Sequence, residues 1–146
     1  MKRIGLFIFL LFVCSTNAFS QDWQHNFEKT KTIAAAENKS IVLVFKGSDW
    51  CAPCMKLDQK IFSSDAFKNG YAKHFILLEA DFPRKKKNAL AKELKEQNNL
   101  LASTYNQNGH FPLVVVLDSK GNVLGKTGYN KLSPQAYLDS LIAFTK

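Results

Sequence analysis

Three largely apolar runs, at residues 41–45, 74–78 and 113–117, punctuate the chain. Continuous runs of β-branched and aromatic residues are typical of strands that are buried on both faces of a sheet. The first two runs therefore predict central strands. The third run is followed by a turn at residues 118–121 and by a short return at residues 122–124, which together predict a β-hairpin.

Between the strands, apolar residues recur three or four positions apart, which is the spacing of helices with one buried face. The predicted helices begin near Asp22, at the cysteine pair after Trp50, at Ser64, after Pro83 and at Ser133. We expect residues 69–70 to end the third helix, and residues 97–99 are a candidate break in the fourth. With the cysteine helix and the short helix at Ser64 counted as one helical segment, the order is α-β-α-β-α-β-β-α, which predicts a single α/β domain without repeats.

Residues 1–20 have the pattern of a secretory signal peptide. Two basic residues precede an apolar stretch at residues 4–13 that is too short to span a bilayer, and small residues follow up to Ser20. We therefore predict cleavage after Ser20, with residues 21–146 as the mature domain. The expected location is the periplasm or the cell envelope, with no transmembrane segment left after cleavage.

The three cysteines fall into two groups. Cys14 closes the apolar stretch of the leader, where a cysteine can be the lipid-modified start of a bacterial lipoprotein, but Val13 is not the small residue that such sites prefer. Lipid attachment at Cys14 is thus an alternative to its removal with the signal peptide. After removal, the chain keeps only Cys51 and Cys54, and one closely spaced pair predicts chemistry rather than a structural disulfide framework.

Cys51 and Cys54 are separated by two residues at the predicted start of a helix that follows a buried strand. Two cysteines at this spacing can close and reopen a disulfide with little backbone movement. Unpaired backbone N–H groups and the helix dipole favour the thiolate of Cys51, which makes it the predicted nucleophile. Cys54 is the predicted resolving cysteine and the one expected to be more buried. Pro53 fixes the backbone at the helix start.

The chain has a net charge of +8. A basic surface favours acidic partners, although net charge bears on association and not on fold. The four basic residues at 84–87 have no interleaved aromatic residues and precede a helical pattern. We interpret this run as a solvated face and predict no nucleic-acid binding.

The run at residues 45–54, Phe-Lys-Gly-Ser-Asp-Trp-Cys-Ala-Pro-Cys, resembles the thioredoxin family when it is taken with three later features. These are Phe111-Pro112 before a strand, Gly121 in the hairpin and Gly128 before the last helix. The chain is also similar to the C-terminal reductase domain of the bacterial transmembrane thiol:disulfide interchange protein. The resemblance implies a thioredoxin-like α/β fold, with a mixed central sheet of about four strands flanked by helices on both faces. It also implies a thiol:disulfide oxidoreductase.

The resemblance further implies a substrate site around the cysteines. Pro112 matches the family's cis-proline, which lies against the disulfide, and Phe111 before it offers backbone groups to an extended substrate peptide. Trp50 matches the tryptophan that shields the edge of the site. Ala52 and Pro53, between the cysteines, complete the expected set of substrate-binding residues.

Two positions depart from the family pattern. Typical members place a buried Asp six residues before the first cysteine, where this chain has Phe45, and the lysine partner of that Asp is replaced by Leu77. The proton needed by Cys54 must therefore come from elsewhere. Glu79 is the candidate by proximity along the chain, although a glutamate at a strand end is usually solvated.

The Ala-Pro pair between the cysteines resembles the Gly-Pro of reducing family members. Reduction or isomerisation of disulfides in envelope proteins is therefore the predicted activity. The redox-active disulfide Cys51–Cys54 needs no organic cofactor or metal. Exported proteins with disulfides are the expected substrates, and a membrane electron carrier is the expected donor that restores the dithiol.

Two other functions stay open at the level of sequence. Cys51, Cys54 and His110 could bind copper or another metal, although one pair of cysteines supplies only half of a tetrahedral site. His110, which comes two residues before Pro112, could instead be a loop residue that tunes Cys51. The fold could also be a redox-silent module for binding a partner, and the intact cysteine pair argues against this.

Overall fold

A five-stranded mixed sheet is the centre of the computed structural model, which describes residues 21–146. The predicted signal peptide and Cys14 lie outside the described residues. The elements are β1 (Trp23–Gln24), α1 (Phe27–Glu37), β2 (Ser40–Lys46), α2 (Ala52–Leu57), a π-helical turn (Asp58–Phe62), α3 (Asp65–Tyr71), β3 (Phe75–Asp81), a 3-10 turn (Lys86–Asn88), α4 (Lys92–Tyr105), β4 (Leu113–Leu117), β5 (Val123–Thr127) and α5 (Pro134–Ala143).

The strand order is β1-β3-β2-β4-β5, with β1, β3 and β2 parallel and β4 antiparallel to both of its neighbours. β2 is central because residues 41–45 are all buried. Side chains alternate between the faces of a strand. Val42 and Val44 therefore join a core cluster beneath α2, α3 and α5, and Leu43 and Phe45 join a second cluster beneath α1 and α4. The predicted α/β fold with helices on both faces is confirmed.

The first element differs from the sequence prediction, and it gives the sheet its fifth strand. A helix was expected from Asp22, but Trp23–Gln24 pair with β3, and α1 begins only at Phe27. Asn26 is the N-cap of α1, because its side chain accepts a hydrogen bond from a backbone N–H of the first turn. Trp23 packs edge-on against Phe62 at 5.3 Å between ring centroids. Both contacts of β1 join residues far apart in sequence, so helical spacing could not reveal them.

The helix predicted after the cysteines is confirmed, but it changes from α-helical to π-helical hydrogen bonding at Asp58. α2 continues into the π-helical turn, and α3 follows with Ser64 as its N-cap, as predicted. The expected stop at residues 69–70 is wrong, because α3 continues to Tyr71. Gly70 lies so close to Leu138 of α5 that an added Cβ would be 2.4 Å from the leucine side chain. This glycine therefore serves helix packing rather than helix termination.

Residues 82–91 form an irregular segment, after which α4 runs unbroken through the expected break at residues 97–99. Asn98 is buried, and its Nδ2 donates a hydrogen bond to the carbonyl of Asp81 at 3.0 Å. The side chain of Gln97 accepts a hydrogen bond from the backbone N–H of Phe27 at 2.9 Å. The helix continues because these polar side chains have partners outside it.

The C-terminal part follows the prediction. β4 and β5 form the antiparallel hairpin around residues 118–121, and Ser133 is the N-cap of α5. Tyr137, Leu138 and Leu141 form the buried stripe of this helix. Among residues 21–146, no helix combines the length and the apolar character needed to cross a membrane.

Candidate active site

The two cysteines lie at the N-terminus of α2 and form a disulfide with an S–S distance of 2.06 Å. Cys51 is the N-cap residue, and its Sγ accepts a hydrogen bond from the backbone N–H of Cys54 at 3.2 Å. The N–H of Cys51 donates to the carbonyl of Gly47 at 2.9 Å, which fixes the loop between β2 and α2. A donor directed at the Cys51 sulfur stabilises negative charge there, which favours Cys51 as the nucleophile after reduction.

Both cysteines are buried in the disulfide form. Cys51 is 3% exposed and Cys54 is 6% exposed, so the prediction that Cys54 is the more buried residue is wrong. The disulfide holds the two residues at similar depth, with their Cα atoms 5.2 Å apart. Ala52 and Pro53 between them are exposed. A partner therefore meets this dipeptide before it meets the sulfur atoms.

A cis peptide bond joins Phe111 to Pro112 in the loop before β4. Pro112 lines a small cavity together with Cys54 and Leu57. Phe111 packs edge-on against Trp50, with 5.4 Å between ring centroids. The loop before β4 and the loop before α2 thus meet beside the disulfide, although about sixty residues separate them in sequence.

Trp50 is fixed from several directions. Its Nε1 donates a hydrogen bond to the carbonyl of Phe82 at 2.7 Å, and the guanidinium carbon of Arg84 lies 3.8 Å from its ring centroid. Gly47 lies under the indole, where an added Cβ would be 2.2 Å from the ring. Trp50, which directly precedes Cys51, lines an open groove, here named the active-site groove. The other residues that line it are Phe82, Arg84, Gly109 and Phe111.

Asp49 ties the cysteine loop to the irregular segment at residues 82–91. Its carboxylate accepts hydrogen bonds from the backbone N–H groups of Arg84 and Lys85 at 2.9 and 3.0 Å, and from Nδ2 of Asn88 at 2.9 Å. The bond from Arg84 and then that from Asn88 lower the pKa of Asp49 to about 2. The ionised carboxylate is therefore part of the folded structure at neutral pH.

Asp81, the last residue of β3, holds the other side of the same loop. Its carboxylate accepts hydrogen bonds from the backbone N–H and the hydroxyl of Ser48, at 2.8 and 2.5 Å. Because Asp81 belongs to the sheet and Asp49 to the loop, the two carboxylates join the cysteine loop both to the sheet and to residues 82–91. We refer to Asp49 and Asp81 as the aspartate pair.

His110 does not form a metal site with the cysteines. It is exposed and lines a depression with Tyr105 and Lys126. The buried Asn106 exchanges two hydrogen bonds of 2.9 Å with the backbone of His110 and so fixes this loop. Within the described part of the chain, no three His, Cys, Asp or Glu side chains are close enough together to hold a metal ion. The metal-binding alternative therefore has no geometric support.

Glu79 lies in a charged cluster on the cysteine side of the sheet. Its carboxylate pairs with Lys46 and with Nδ1 of His25, the latter at 3.4 Å. Lys46 also lines the small cavity beside Cys54. Phe45, at the position of the family's buried Asp, belongs to the opposite core cluster. The ion pair on the cysteine side of the sheet is thus Lys46–Glu79, and of its two residues the sequence analysis named only Glu79.

A family model described as thioredoxin-like matches residues 22–119. The chain belongs to the thioredoxin-like family. It is similar to the disulfide bond reductase DsbH of Chlamydia pneumoniae, with 32% identity over 80% of this chain and 78% of the relative. Family membership confirms the resemblance inferred from the cysteine motif and the thiol:disulfide oxidoreductase chemistry that it implies.

Solved structures share the arrangement of this thioredoxin-like domain. A DsbH oxidoreductase matches with a TM-score of 0.79 and 29% identity, over 86% of this chain and 84% of that chain. The oxidised C-terminal domain of DsbD from Neisseria meningitidis matches with a TM-score of 0.53 and 16% identity, over 79% and 89%. At that identity the second match shows the fold alone.

Sequence reasoning missed several residues that border the site of this thioredoxin-like domain, among them Lys46, Asp49 and Arg84. Lys46 could have been predicted, because a lysine at the end of a buried strand needs a partner for its charge. Asp49 was harder to predict, since an Asp beside a cysteine motif is common on protein surfaces. The position of Arg84 over Trp50 could not be predicted, because it depends on how residues 82–91 fold back.

Proposed function

We propose that this protein is an exported disulfide reductase that acts on disulfide bonds of other exported proteins. The observation that carries the proposal is the Cys51–Cys54 disulfide at the start of α2, beside the loop of Phe111 and Pro112. The 32% identical relative is a disulfide bond reductase, which supports the direction of the reaction. The leader pattern at residues 1–20 supports export of a domain that comprises residues 21–146.

In the reaction, the Cys51 thiolate attacks one sulfur of the substrate disulfide, and the other substrate sulfur leaves as a thiolate that takes up a proton. Cys54 then loses its proton and attacks Sγ of Cys51, which breaks the mixed disulfide and releases the second substrate thiol. Two electrons pass from the protein to the substrate, so the protein ends as the Cys51–Cys54 disulfide. A membrane electron carrier returns two electrons, and no organic cofactor or metal takes part.

The residues around the disulfide are proposed to hold the substrate chain. Ala52 and Pro53 are exposed beside the sulfur atoms and provide the surface on which an extended segment lies. Phe111 and Pro112 offer backbone groups along one side of that segment. Trp50 bounds the other side, where its contacts with its neighbours keep the indole in place.

Substitution of each cysteine tests the assignment of roles. Cys51→Ser is expected to abolish turnover, because no nucleophile remains. Cys54→Ser is expected to accumulate a mixed disulfide between Cys51 and the substrate, because the resolving thiol is gone. Turnover is measured by reduction of a model protein disulfide, and the covalent complex by electrophoresis without reductant. Full activity of either variant would contradict the mechanism.

The reduction potential of the cysteine pair tests the direction of electron flow. The purified, metal-free protein is equilibrated with defined thiol redox buffers. We expect a value near that of thioredoxin, about −270 mV, rather than near about −120 mV, which is typical of a strong oxidant. The second value would make the protein an oxidant of newly exported chains. If no Cys51–Cys54 disulfide forms in any of these redox buffers, the redox function is rejected.

The Lys46–Glu79 pair is proposed to assist proton loss from Cys54, since Lys46 lines the cavity beside that residue. Glu79→Gln is expected to slow the decay of the mixed disulfide more than its formation, which rapid-mixing kinetics across pH would resolve. Glu37→Gln is the matched control, because it removes a carboxylate of an ion pair on α1. Identical decay rates in Glu79→Gln and the unmodified protein would overturn the assignment.

A further inference from the structure

A run of four consecutive basic residues begins at the active-site groove, which is lined by the first of them, Arg84. Residues 84–87, here named the basic segment, are Arg-Lys-Lys-Lys and are all exposed. The guanidinium carbon of Arg84 lies 3.8 Å from the ring centroid of Trp50, and Trp50 directly precedes Cys51. Positive charge is therefore fixed at the edge of the surface on which a substrate would lie.

Asp49 holds the backbone at the start of the basic segment. The backbone N–H groups of Arg84 and Lys85 donate to Asp49, as described above. The guanidinium of Arg84 makes no hydrogen bond to another residue of the described chain and stacks on the indole instead. Stacking of this kind leaves the N–H groups at the rim of the guanidinium available, and that rim matches the geometry of a carboxylate.

Neighbouring groups do not neutralise this surface. Five ion pairs join residues within 21–146, and none of them includes a residue of the basic segment. Asp49 is the acidic side chain in hydrogen-bond contact with the segment, and its carboxylate faces backbone N–H groups and Asn88. The two carboxylates of the aspartate pair, Asp49 and Asp81, stand against the four positive charges of the basic segment, so the surface beside Trp50 keeps a net positive charge.

We propose that the basic segment selects substrates in which acidic residues flank the disulfide. The inference rests on the proposed function, because it concerns the substrate of the same cysteine pair. A carboxylate next to the substrate cystine binds the rim of Arg84 while the cystine sulfur meets Cys51. Lys86 and Lys87 attract the acidic segment at longer range and raise the rate of encounter.

The experiment compares three peptides that each contain one disulfide and differ only in the residues beside one cysteine, which are acidic, amide or basic. The value of kcat/KM is measured for each with the purified protein, at about 0.01 M and about 1 M salt, where the screening length is about 30 Å and about 3 Å. We expect the acidic peptide to exceed the amide peptide by about tenfold at low salt and the basic peptide to be slowest. The preference should disappear at high salt.

Two variants and one control separate charge from folding. Arg84→Gln removes the charge over Trp50, and the double variant Lys86→Gln with Lys87→Gln removes two exposed charges and keeps the stacked arginine. Both are expected to lower the ratio of acidic to amide peptide toward one. Lys120→Gln removes one exposed charge at the hairpin turn, at the far end of β4 from Pro112, and should leave the ratio unchanged.

The outcomes distinguish this inference from the function on which it rests. Equal reduction of all three peptides, or an acidic preference that survives both variants, would overturn the selectivity and leave the reductase intact. Failure to reduce any peptide would overturn both. A preference that falls in both variants, persists in Lys120→Gln and fades with salt supports the proposal.

Discussion

At the scale of single residues, the position of Trp50 depends on the missing side chain of Gly47. An added Cβ would lie 2.2 Å from the indole, so Gly47→Ala must displace Trp50 and weaken its hydrogen bond to Phe82. We expect the free energy of unfolding to fall by about 1–3 kcal/mol, measured by urea unfolding, together with a loss of disulfide reduction. Gly128→Ala is the control, since its nearest contact is an ordinary 3.6 Å. Equal stability of the two variants would refute this reasoning.

A second residue-scale prediction concerns Asp49 and pH. Its pKa is about 2 in the folded protein against an ordinary value of 3.8. A lowered pKa means that the carboxylate stabilises the fold above about pH 4 and loses this effect as the pH falls toward 2. We therefore expect the difference in Tm between the unmodified protein and Asp49→Asn to be largest near neutral pH and to vanish toward pH 2. A difference that stays constant over this range would show that the charge is not responsible.

At the scale of elements, the start of α1 separates two interpretations of the same sequence. Asp22 fits the rules for an N-cap, but the structure gives that place to Asn26, whose side chain accepts a hydrogen bond from the N–H of Lys29 at 2.9 Å. Asn26→Ala is expected to cost about 1 kcal/mol of stability, because an N-terminal N–H loses its acceptor. Asp22→Ala should have little effect in the same urea titration. A larger loss of stability in Asp22→Ala than in Asn26→Ala would contradict the start of α1 at Asn26 and support the helix start at Asp22 that the sequence pattern predicts.

The elements predicted correctly are those whose signals are local. The run at residues 41–45 indicated the central strand by its own composition, and Ser64 and Ser133 indicated helix starts because a cap bonds only to the next turn. β1 was missed because two residues become a strand only by pairing with β3. The end of α3 was misplaced because Gly70 packs against α5.

At the scale of the whole molecule, the same distinction applies to the site. The cysteine pair was predictable, since its chemistry follows from spacing, and Phe111 and Pro112 were predictable through the family resemblance. The surroundings were not, because the Lys46–Glu79 pair and the contact of Arg84 with Trp50 join different elements. Sequence thus located the cysteine pair better than the groups around it, and the roles of these residues in the reaction stay predictions.

The anchoring of the basic segment by Asp49 has a consequence for local opening. Amide hydrogens of β2 and β4, which are paired on both sides within the sheet, are expected to exchange with solvent only through global unfolding. The amide hydrogens of Arg84 and Lys85 bond to a single side chain and are expected to exchange through a smaller, local fluctuation. The basic segment is therefore expected to open in local fluctuations while the sheet that positions the disulfide stays closed.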